Sequence, residues 1–215
     1  MKNIAIFGAG GFGREVACHI HRINRECLTW NIIGYFDDGV EKGTKISTYG
    51  EVLGGLKELN HWNEDLSVVV AIGDPNTMKK IVEKITNPLL KFPNIIAPGI
   101  RFNNIDTFNI GKGNIIVSGS AFSCDVSMGD FNIYNGSVVL GHDVKLGSFN
   151  TFMGAVRISG DVKIGDLNFF GVGSIVIQGV KIGNKVRLGA GSVLMRKTKD
   201  GYLYIGNPAK KYDLG

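Results

Sequence analysis

The chain has 215 residues, of which 44% are hydrophobic, and it carries a formal net charge of +5 with an isoelectric point near 9.1. Its lysines and arginines are scattered, without a dense basic run or interleaved aromatic residues, and this argues against nucleic-acid binding. No run of about 20 apolar residues is present, so we expect no membrane insertion.

The three cysteines indicate a reducing compartment. Cys18, Cys27 and Cys124 are odd in number and lack C-x-x-C spacing, which is unlike the disulfide framework of a secreted domain. The chain opens with MKNIAIFGAG, where a glycine interrupts the apolar run too early for a signal peptide. We therefore expect a cytoplasmic protein.

Residues 1–97 alternate between apolar strands and amphipathic helices. The predicted strands cover residues 3–7, 30–36, 66–72 and 89–96. A first helix is predicted to end near Arg25, a short one to lie within residues 51–60, and a third to begin at an Asn76 cap and end near Ile85. This alternation predicts a small parallel α/β domain over residues 1–97, joined without a linker to residues 98–215.

A glycine loop, GAGGFG at residues 8–13, follows the first strand and opens the first helix, so it matches G-x-G-x-x-G in its expected context. The glycines of this motif are Gly8, Gly10, Gly11 and Gly13. They allow phosphate oxygens to approach backbone N–H groups at a helix amino terminus. Asp37 and Asp38 end the second strand, where either can accept a hydrogen bond from a ribose or a base. The motif favours phosphate or nucleotide binding, with an NAD site or a purely structural turn as alternatives.

The sequence from Phe108 to Lys197 repeats every eighteen residues, and within each repeat a large residue recurs every six. These large residues are Ile110, Ile116, Phe122, Met128, Tyr134, Leu140, Leu146, Phe152, Ile158, Ile164, Phe170, Val176, Ile182, Leu188 and Leu194. A period of six suits neither an amphipathic helix nor a simple strand, and an evenly spaced β-sandwich is the alternative. The pattern predicts a hexapeptide-repeat β-helix over residues 98–215, ending in a short tail, with recurring glycines at one corner for tight turns.

His142 is the one histidine of the predicted β-helix. Aligned repeats stack Cys124, His142, Gly160, Gln178 and Arg196 at one corner. Because Gly160 has no side chain, we expect open space beside His142 through which a second substrate can approach. Histidine suits proton transfer near neutral pH, and Asp143 can orient its imidazole. The alternative is a solvated turn histidine without a catalytic role.

We predict no metal site. Zinc enzymes of β-helix type use several histidines, whereas His19, His21 and His61 lie in the other domain. The spacing of His19 and His21 splits the two side chains across a helix.

Three segments together resemble the NeuD/PglD-type family of sugar-nucleotide acyltransferases. They are IAIFGAGGFGREVA at the start, SVVLGHDVKLGS in the middle of the repeat and IGNPAKKY near the end, so the resemblance covers essentially the whole chain. It implies a small Rossmann-like parallel α/β domain followed by a left-handed parallel β-helix, assembled as a homotrimer. It also implies acetyl-CoA as the donor and a nucleotide-linked sugar as the acceptor, often a 4-amino-6-deoxy sugar for surface glycans.

The resemblance also implies roles for individual residues. The general base falls on His142 and its acidic neighbour on Asp143. Contacts to the nucleotide sugar fall on the glycine loop and on Asp37 and Asp38. Contacts to CoA fall on Gly160, Val172, Gly189 and Ala190.

Three positions depart from the family pattern, where histidine is frequent. They are Phe12, Ala97 and Thr151. Thr151 keeps a hydroxyl that can hydrogen-bond a thioester or an acceptor group, so we include it among the substrate-binding residues. Transfer to a hydroxyl of a sialic-acid-type sugar, a non-catalytic sugar-nucleotide-binding protein and a nicotinamide enzyme are the alternatives.

Overall fold

A computed structural model describes residues 1–212, which fall into two compact units, Met1–Pro98 and a second unit that begins at Gly99. The elements of the first unit are β1 (Lys2–Phe7), α1 (Gly11–Glu26), β2 (Trp30–Phe36), β3 (Val52–Gly54), α2 (Leu56–Asn60), β4 (Leu66–Val70), α3 (Pro75–Lys84), β5 (Leu90–Lys91) and β6 (Ile95–Ile96). Neither α1 nor the shorter helices of residues 1–212 combine the length and apolar character needed to cross a bilayer.

The first unit is a parallel α/β sheet. Its strand order is β3-β2-β1-β4-β5, and every pairing is parallel. Ile4, Ala5 and Ile6 of the central strand are fully buried, and α1 covers the sheet with Val16 and Ile20. A helix between parallel strands is what the alternating sequence pattern predicts, and the predicted α/β domain is confirmed.

Two local predictions for this unit are wrong. The third helix is capped by Asp74, whose Oδ1 accepts the N–H of Thr77 at 2.9 Å, while Pro75 occupies the first helical position instead of Asn76 capping it. Proline is suited to that position because the N–H that it lacks would have no helical partner. The predicted strand over residues 89–96 is two short strands, β5 and β6, separated around Pro93, which cannot donate to a strand ladder.

The second unit is built mainly from two-residue strands six residues apart. They are β7 (Arg101–Phe102), β8 (Asn109–Ile110), β9 (Ile115–Ile116), β10 (Ala121–Phe122), β11 (Ser127–Met128), β12 (Ile133–Tyr134), β13 (Val139–Leu140), β14 (Lys145–Leu146), β15 (Thr151–Phe152), β16 (Arg157–Ile158), β17 (Lys163–Ile164), β18 (Phe169–Phe170), β19 (Ile175–Val176), β20 (Lys181–Ile182), β21 (Arg187–Leu188) and β22 (Val193–Leu194). The chain ends in a hairpin of β23 (Leu203–Gly206) and β24 (Ala209–Tyr212), with a cis peptide bond between Asn207 and Pro208.

These strands form three parallel faces of a left-handed β-helix, as predicted. The first face contains β7, β10, β13, β16, β19 and β22, and the second contains β8, β11, β14, β17 and β20. The third face runs from β9 through β12, β15, β18 and β21 to the hairpin. Among β8 to β22, paired strands are eighteen residues apart along the chain, for example Val139 and Arg157.

The six-residue series fills the interior. All of its members are buried except Ile110, which is half-buried in the first coils. The rings of Tyr134, Phe152 and Phe170 stack along the axis with centroid separations of 5.0 and 4.5 Å. Beside them, Asn114, Asn132, Asn150 and Asn168 form a buried ladder of hydrogen bonds from coil to coil.

The glycines that recur at one corner have a different structural role from the predicted one. Left-handed backbone recurs every six residues, but it falls mostly on residues with side chains, such as Asp143 (φ 59°) and Phe149 (φ 58°). The glycines at positions such as Gly129 and Gly147 are needed for space instead of for φ. A methyl group on Gly147 would collide with Asp166, whose Oδ1 accepts the N–H of Ser148 at 2.7 Å.

Candidate functional site

The glycine loop between β1 and α1 contains two kinds of glycine. Gly8 has φ of 109°, and a methyl group there would lie 2.8 Å from the carbonyl oxygen of Ala71; a methyl group on Gly13 would collide with the carbonyl oxygen of Gly8. These two glycines allow the close packing of helix and sheet. A methyl group on Gly10 would meet nothing within 4 Å, and one on Gly11 would meet only the Arg14 guanidinium at 3.9 Å. The backbone at Gly10 and Gly11 is therefore open to a ligand.

The amino terminus of α1 favours an anion. Its cap residue is Gly10, which offers no side chain to the first N–H groups, and the first turn has no acidic residue. The sixteen-residue helix presents these N–H groups together with the positive end of its dipole. A phosphate group placed beside the open backbone would satisfy both.

The two aspartates predicted to contact the nucleotide have separate structural partners. Asp37 accepts the N–H of Ala9 at 2.8 Å and that of Gly39 at 2.8 Å, so it ties the glycine loop to the turn after β2. Asp38 accepts the N–H of Leu56 at 2.6 Å, at the start of α2. Of the two, Asp37 is the one that lies against the glycine loop.

His142 lies at the corner between β13 on the first face and β14 on the second. Its Nδ1 is 2.8 Å from Oδ2 of Asp143. An ionised carboxylate can only accept, so Nδ1 carries the proton and Nε2 of the neutral ring keeps a free lone pair. The two side chains are 50% and 57% exposed, which leaves them accessible to a substrate. This arrangement can abstract a proton at Nε2 and stabilise the imidazolium that forms.

The neighbouring coils hold this pair in place. The left-handed backbone of Asp143 donates its N–H to the carbonyl of Cys124 in the preceding coil at 3.1 Å. The carbonyl of His142 accepts the N–H of Asp161 in the following coil at 2.8 Å. The adjacent residues therefore point together because the corner turns between them.

The space beside Gly160 is filled, whereas the prediction was that it is open. A methyl group on Gly160 would lie 2.6 Å from Cε1 and 2.8 Å from Cδ2 of the His142 ring, and closer still to Nε2. The imidazole itself occupies the space expected to be open, and Gly160 is buried. Gly160 thus contacts the His142 ring, and its predicted contact with CoA stays a prediction.

Val172, Gly189 and Ala190 line one apolar groove of about 350 Å³. Its other walls are Met153, Phe169, Gly171, Arg187, Leu188 and Leu203. Sequence reasoning missed Phe169 and Arg187, although both occupy the outward position that precedes an interior residue of the series. The guanidinium of Arg187 lies 4.5 Å from the centroid of the Phe169 ring.

The groove and His142 are at different corners of the β-helix. Val172 follows β18 and Ala190 follows β21, so the groove lies where the third face meets the first. His142 lies where the first face meets the second. In a single chain, His142 and the apolar groove are therefore separated by the width of the first face.

Two further points concern Thr151, which is predicted to bind substrate, and the side chains that could bind a metal ion. Thr151 lies in β15 between Ile133 and Phe169 and is only 1% exposed, which leaves no surface for a substrate in the single chain. Within residues 1–212, no three His, Cys, Asp or Glu side chains converge on a point that a metal ion could occupy.

Comparisons with known proteins find similarity in the first unit by sequence and over the whole chain by structure. The family model described as the PglD N-terminal domain matches residues 3–85. The acetyltransferase domain of PglB from Neisseria gonorrhoeae is 25% identical and superposes over 99% of this chain and 100% of that chain with a TM-score of 0.89. The same domain in complex with acetyl coenzyme A is 27% identical over 98% and 99%, with a TM-score of 0.87.

A second similar structure is PerB from Caulobacter crescentus in complex with CoA and GDP-perosamine. It is 29% identical and covers 99% of this chain and 98% of that chain, with a TM-score of 0.84. No curated protein sequence matches the chain.

Proposed function

We propose that the chain is a sugar-nucleotide acetyltransferase of the NeuD/PglD type and that it transfers an acetyl group from acetyl-CoA to the amino group of a nucleotide-linked sugar. A 4-amino-6-deoxy sugar used for surface-glycan precursors is the acceptor class we assign. The observation that carries the proposal is the His142–Asp143 pair, in which Asp143 fixes the proton on Nδ1 and leaves Nε2 as the base.

The first unit supports the acceptor. A sugar nucleotide carries a diphosphate, and the open backbone at Gly10 and Gly11 with the amino terminus of α1 is suited to it. Asp37 and Asp38 each retain lone pairs for a ribose or a base, and Asp37 lies beside the loop. PerB binds GDP-perosamine, an acceptor of this chemical class.

The second unit supports the donor. The groove of Val172, Gly189 and Ala190 is apolar, which suits the pantetheine arm of CoA, and Arg187 provides a cation for a phosphate group. The PglB domain binds acetyl coenzyme A and PerB binds CoA. The reaction that we propose uses no metal.

The chemistry follows from the position of the free lone pair. The acceptor nitrogen attacks the thioester carbonyl carbon while Nε2 of His142 takes one proton from that nitrogen. Asp143 stabilises the imidazolium, and backbone N–H groups stabilise the oxyanion. The C–S bond then breaks, and the CoA thiolate leaves with the proton from the imidazolium. No acyl-enzyme is formed, so Cys124, which is half-buried in the coil before His142, has no role as a nucleophile.

We propose that the active form is a homotrimer in which a second copy brings its groove to His142. The first face suits this contact because its outward residues include Val139, Ile175 and Val193, whereas the second face presents Ser127 and a row of lysines. Ile175 is 39% exposed and Met195, next to the same face, is 43% exposed. Apolar surface of this kind is typical of a subunit contact.

Ile175→Arg should dissociate the assembly and lower the rate per chain by at least about tenfold, because it puts an unpaired charge into an apolar contact. Ser127→Arg, at the equivalent outward position of the second face, is the control and should change neither property. Light scattering and initial rates measured over one dilution series provide the test. A monomer with full activity per chain would contradict the trimer proposal.

The proposed activity is tested by thiol release from acetyl-CoA with UDP-, GDP-, dTDP- and CMP-linked sugars, each with and without a 4-amino group. We expect turnover with one 4-amino sugar nucleotide and none with its hydroxyl counterpart. Turnover with a CMP-linked sialic acid alone would change the assignment to hydroxyl acetylation. Failure to bind CoA, measured by calorimetry, would contradict acyl transfer altogether.

A further inference from the structure

The His142 ring is in contact with the bare backbone of the next coil. A methyl group on Gly160 would lie 2.6 Å from Cε1 and 2.8 Å from Cδ2 of the imidazole, and nearest of all to Nε2. Real Cβ atoms do not approach other heavy atoms this closely, so any side chain at position 160 must displace the ring. The ring atom nearest to the added methyl group is the proposed base.

The fold itself does not require glycine at this position. Gly160 does not have the left-handed φ that other glycines of the β-helix adopt. The equivalent corner positions of other coils carry full side chains, namely Cys124, Gln178 and Arg196. The three atoms nearest to a methyl group at position 160 all belong to the His142 ring.

The imidazole is therefore held from two sides. Asp143 binds Nδ1 at 2.8 Å, and the surface of Gly160 supports the face of the ring near Nε2. A ring pushed off Gly160 cannot keep both the bond to Asp143 and the position of Nε2. Displacement of a reacting group by about 1 Å can lower a rate by about 10²-fold.

We infer that Gly160 is a positioning residue, whose lack of a side chain holds Nε2 of His142 at the point of proton transfer. This inference rests on the proposed function for its kinetic consequences but not for its geometry. It assigns to Gly160 a role through the histidine instead of through the donor.

Gly160→Ala should lower kcat by about 10²-fold with KM values for acetyl-CoA and acceptor unchanged within a factor of about two. The matched control is Gly154→Ala in the same β-helix, where the methyl group would lie 3.7 Å from the carbonyl oxygen of Asn135, an ordinary contact. We expect the control to keep its rate and both variants to keep the melting temperature within a few degrees. A rate for Gly160→Ala equal to that of the control would overturn the inference.

A double-mutant cycle separates positioning from an independent role. If Gly160 acts only through the imidazole, Gly160→Ala should change nothing further in a His142→Ala background. If the same loss occurs in both backgrounds, Gly160 acts on the substrates directly and the inference is wrong.

The tautomer of His142 gives a test that does not depend on activity. In protein labelled with ¹⁵N-histidine, with His142 assigned from the His142→Ala spectrum, we expect the neutral ring to carry its proton on Nδ1. In Gly160→Ala the displaced ring loses either its bond to Asp143 or the surroundings of Nε2, so the ¹⁵N chemical shift of at least one ring nitrogen should change, whereas both shifts should persist in Gly154→Ala. Two unchanged ring ¹⁵N shifts in Gly160→Ala would overturn the inference even if no acceptor is turned over, so failure of the proposed function remains distinguishable.

Discussion

Replacement of His142 by alanine should lower kcat by a factor of about 10²–10⁴ while leaving the KM for acetyl-CoA nearly unchanged. The reason is that Nε2 of His142 acts on the proton being transferred. The binding of acetyl-CoA is assigned to the groove at a different corner. The melting temperature should change little, since the side chain is half exposed and its loss leaves no buried group unpaired. Initial rates with the acceptor identified by the substrate panel provide the measurement.

Asp143→Asn sharpens this experiment. An amide at position 143 can donate to Nδ1, which would move the ring proton to Nε2 and remove the base without removing the ring. We therefore expect kcat to fall in this variant too. The control is His61→Ala, since His61 lies at the end of α2 with Nδ1 2.7 Å from the carbonyl of Lys57. A His142→Ala enzyme as active as the His61→Ala control would show that the His142–Asp143 pair has no catalytic role.

The β-helix could be predicted largely because one large residue marks each period of its sequence repeat. A large residue every sixth position has one structural solution, and the interior of the β-helix has one such residue per strand. The first error arose where two neighbouring residues can both fill the same structural position. Asp74 and Asn76 can both cap a helix, and only the position of Pro75 decides between them. Residues 89–96 are largely apolar, but Pro93 removes the N–H that a continuous strand needs.

The sequence predicted which residues of the candidate site share a corner of the β-helix, but not which of their atoms are in contact. The eighteen-residue alignment brings His142 and Gly160 to the same corner, yet it does not say whether the ring points into the space above Gly160 or away from it. That depends on the turn at Asp143, whose left-handed backbone is fixed by bonds to two other coils. Thr151 shows the same limit, because its outward position does not reveal that it is buried.

The buried asparagine ladder should contribute most to the stability of the β-helix. Oδ1 of Asn150 accepts both the backbone N–H of Asn168 at 3.0 Å and its Nδ2 at 2.9 Å. Nδ2 of Asn150 donates to Oδ1 of Asn132 at 3.0 Å. All three side chains are fully buried, so water cannot replace a lost partner.

Asn150→Ala should therefore destabilise the protein by about 3–6 kcal/mol, since it leaves two buried donors of Asn168 unpaired and opens a cavity. The control is Asn184→Ala, because Oδ1 of Asn184 also accepts a backbone N–H, from Asp166 at 2.8 Å, and its Nδ2 donates to Asp200 at 3.1 Å. That asparagine is exposed, so water can replace its bonds and we expect a loss of about 1 kcal/mol or less.

Urea unfolding at one fixed protein concentration measures both variants, with equal m-values required for the comparison. Equal losses for Asn150→Ala and Asn184→Ala would mean that burial adds nothing to these bonds, and that the stacked aromatic and aliphatic residues alone hold the coils together. A large loss confined to Asn150 would show that the interior depends on a polar ladder as well. The spacing of the coils that hold His142 and Gly160 would then depend in part on hydrogen bonds at a different corner of the β-helix.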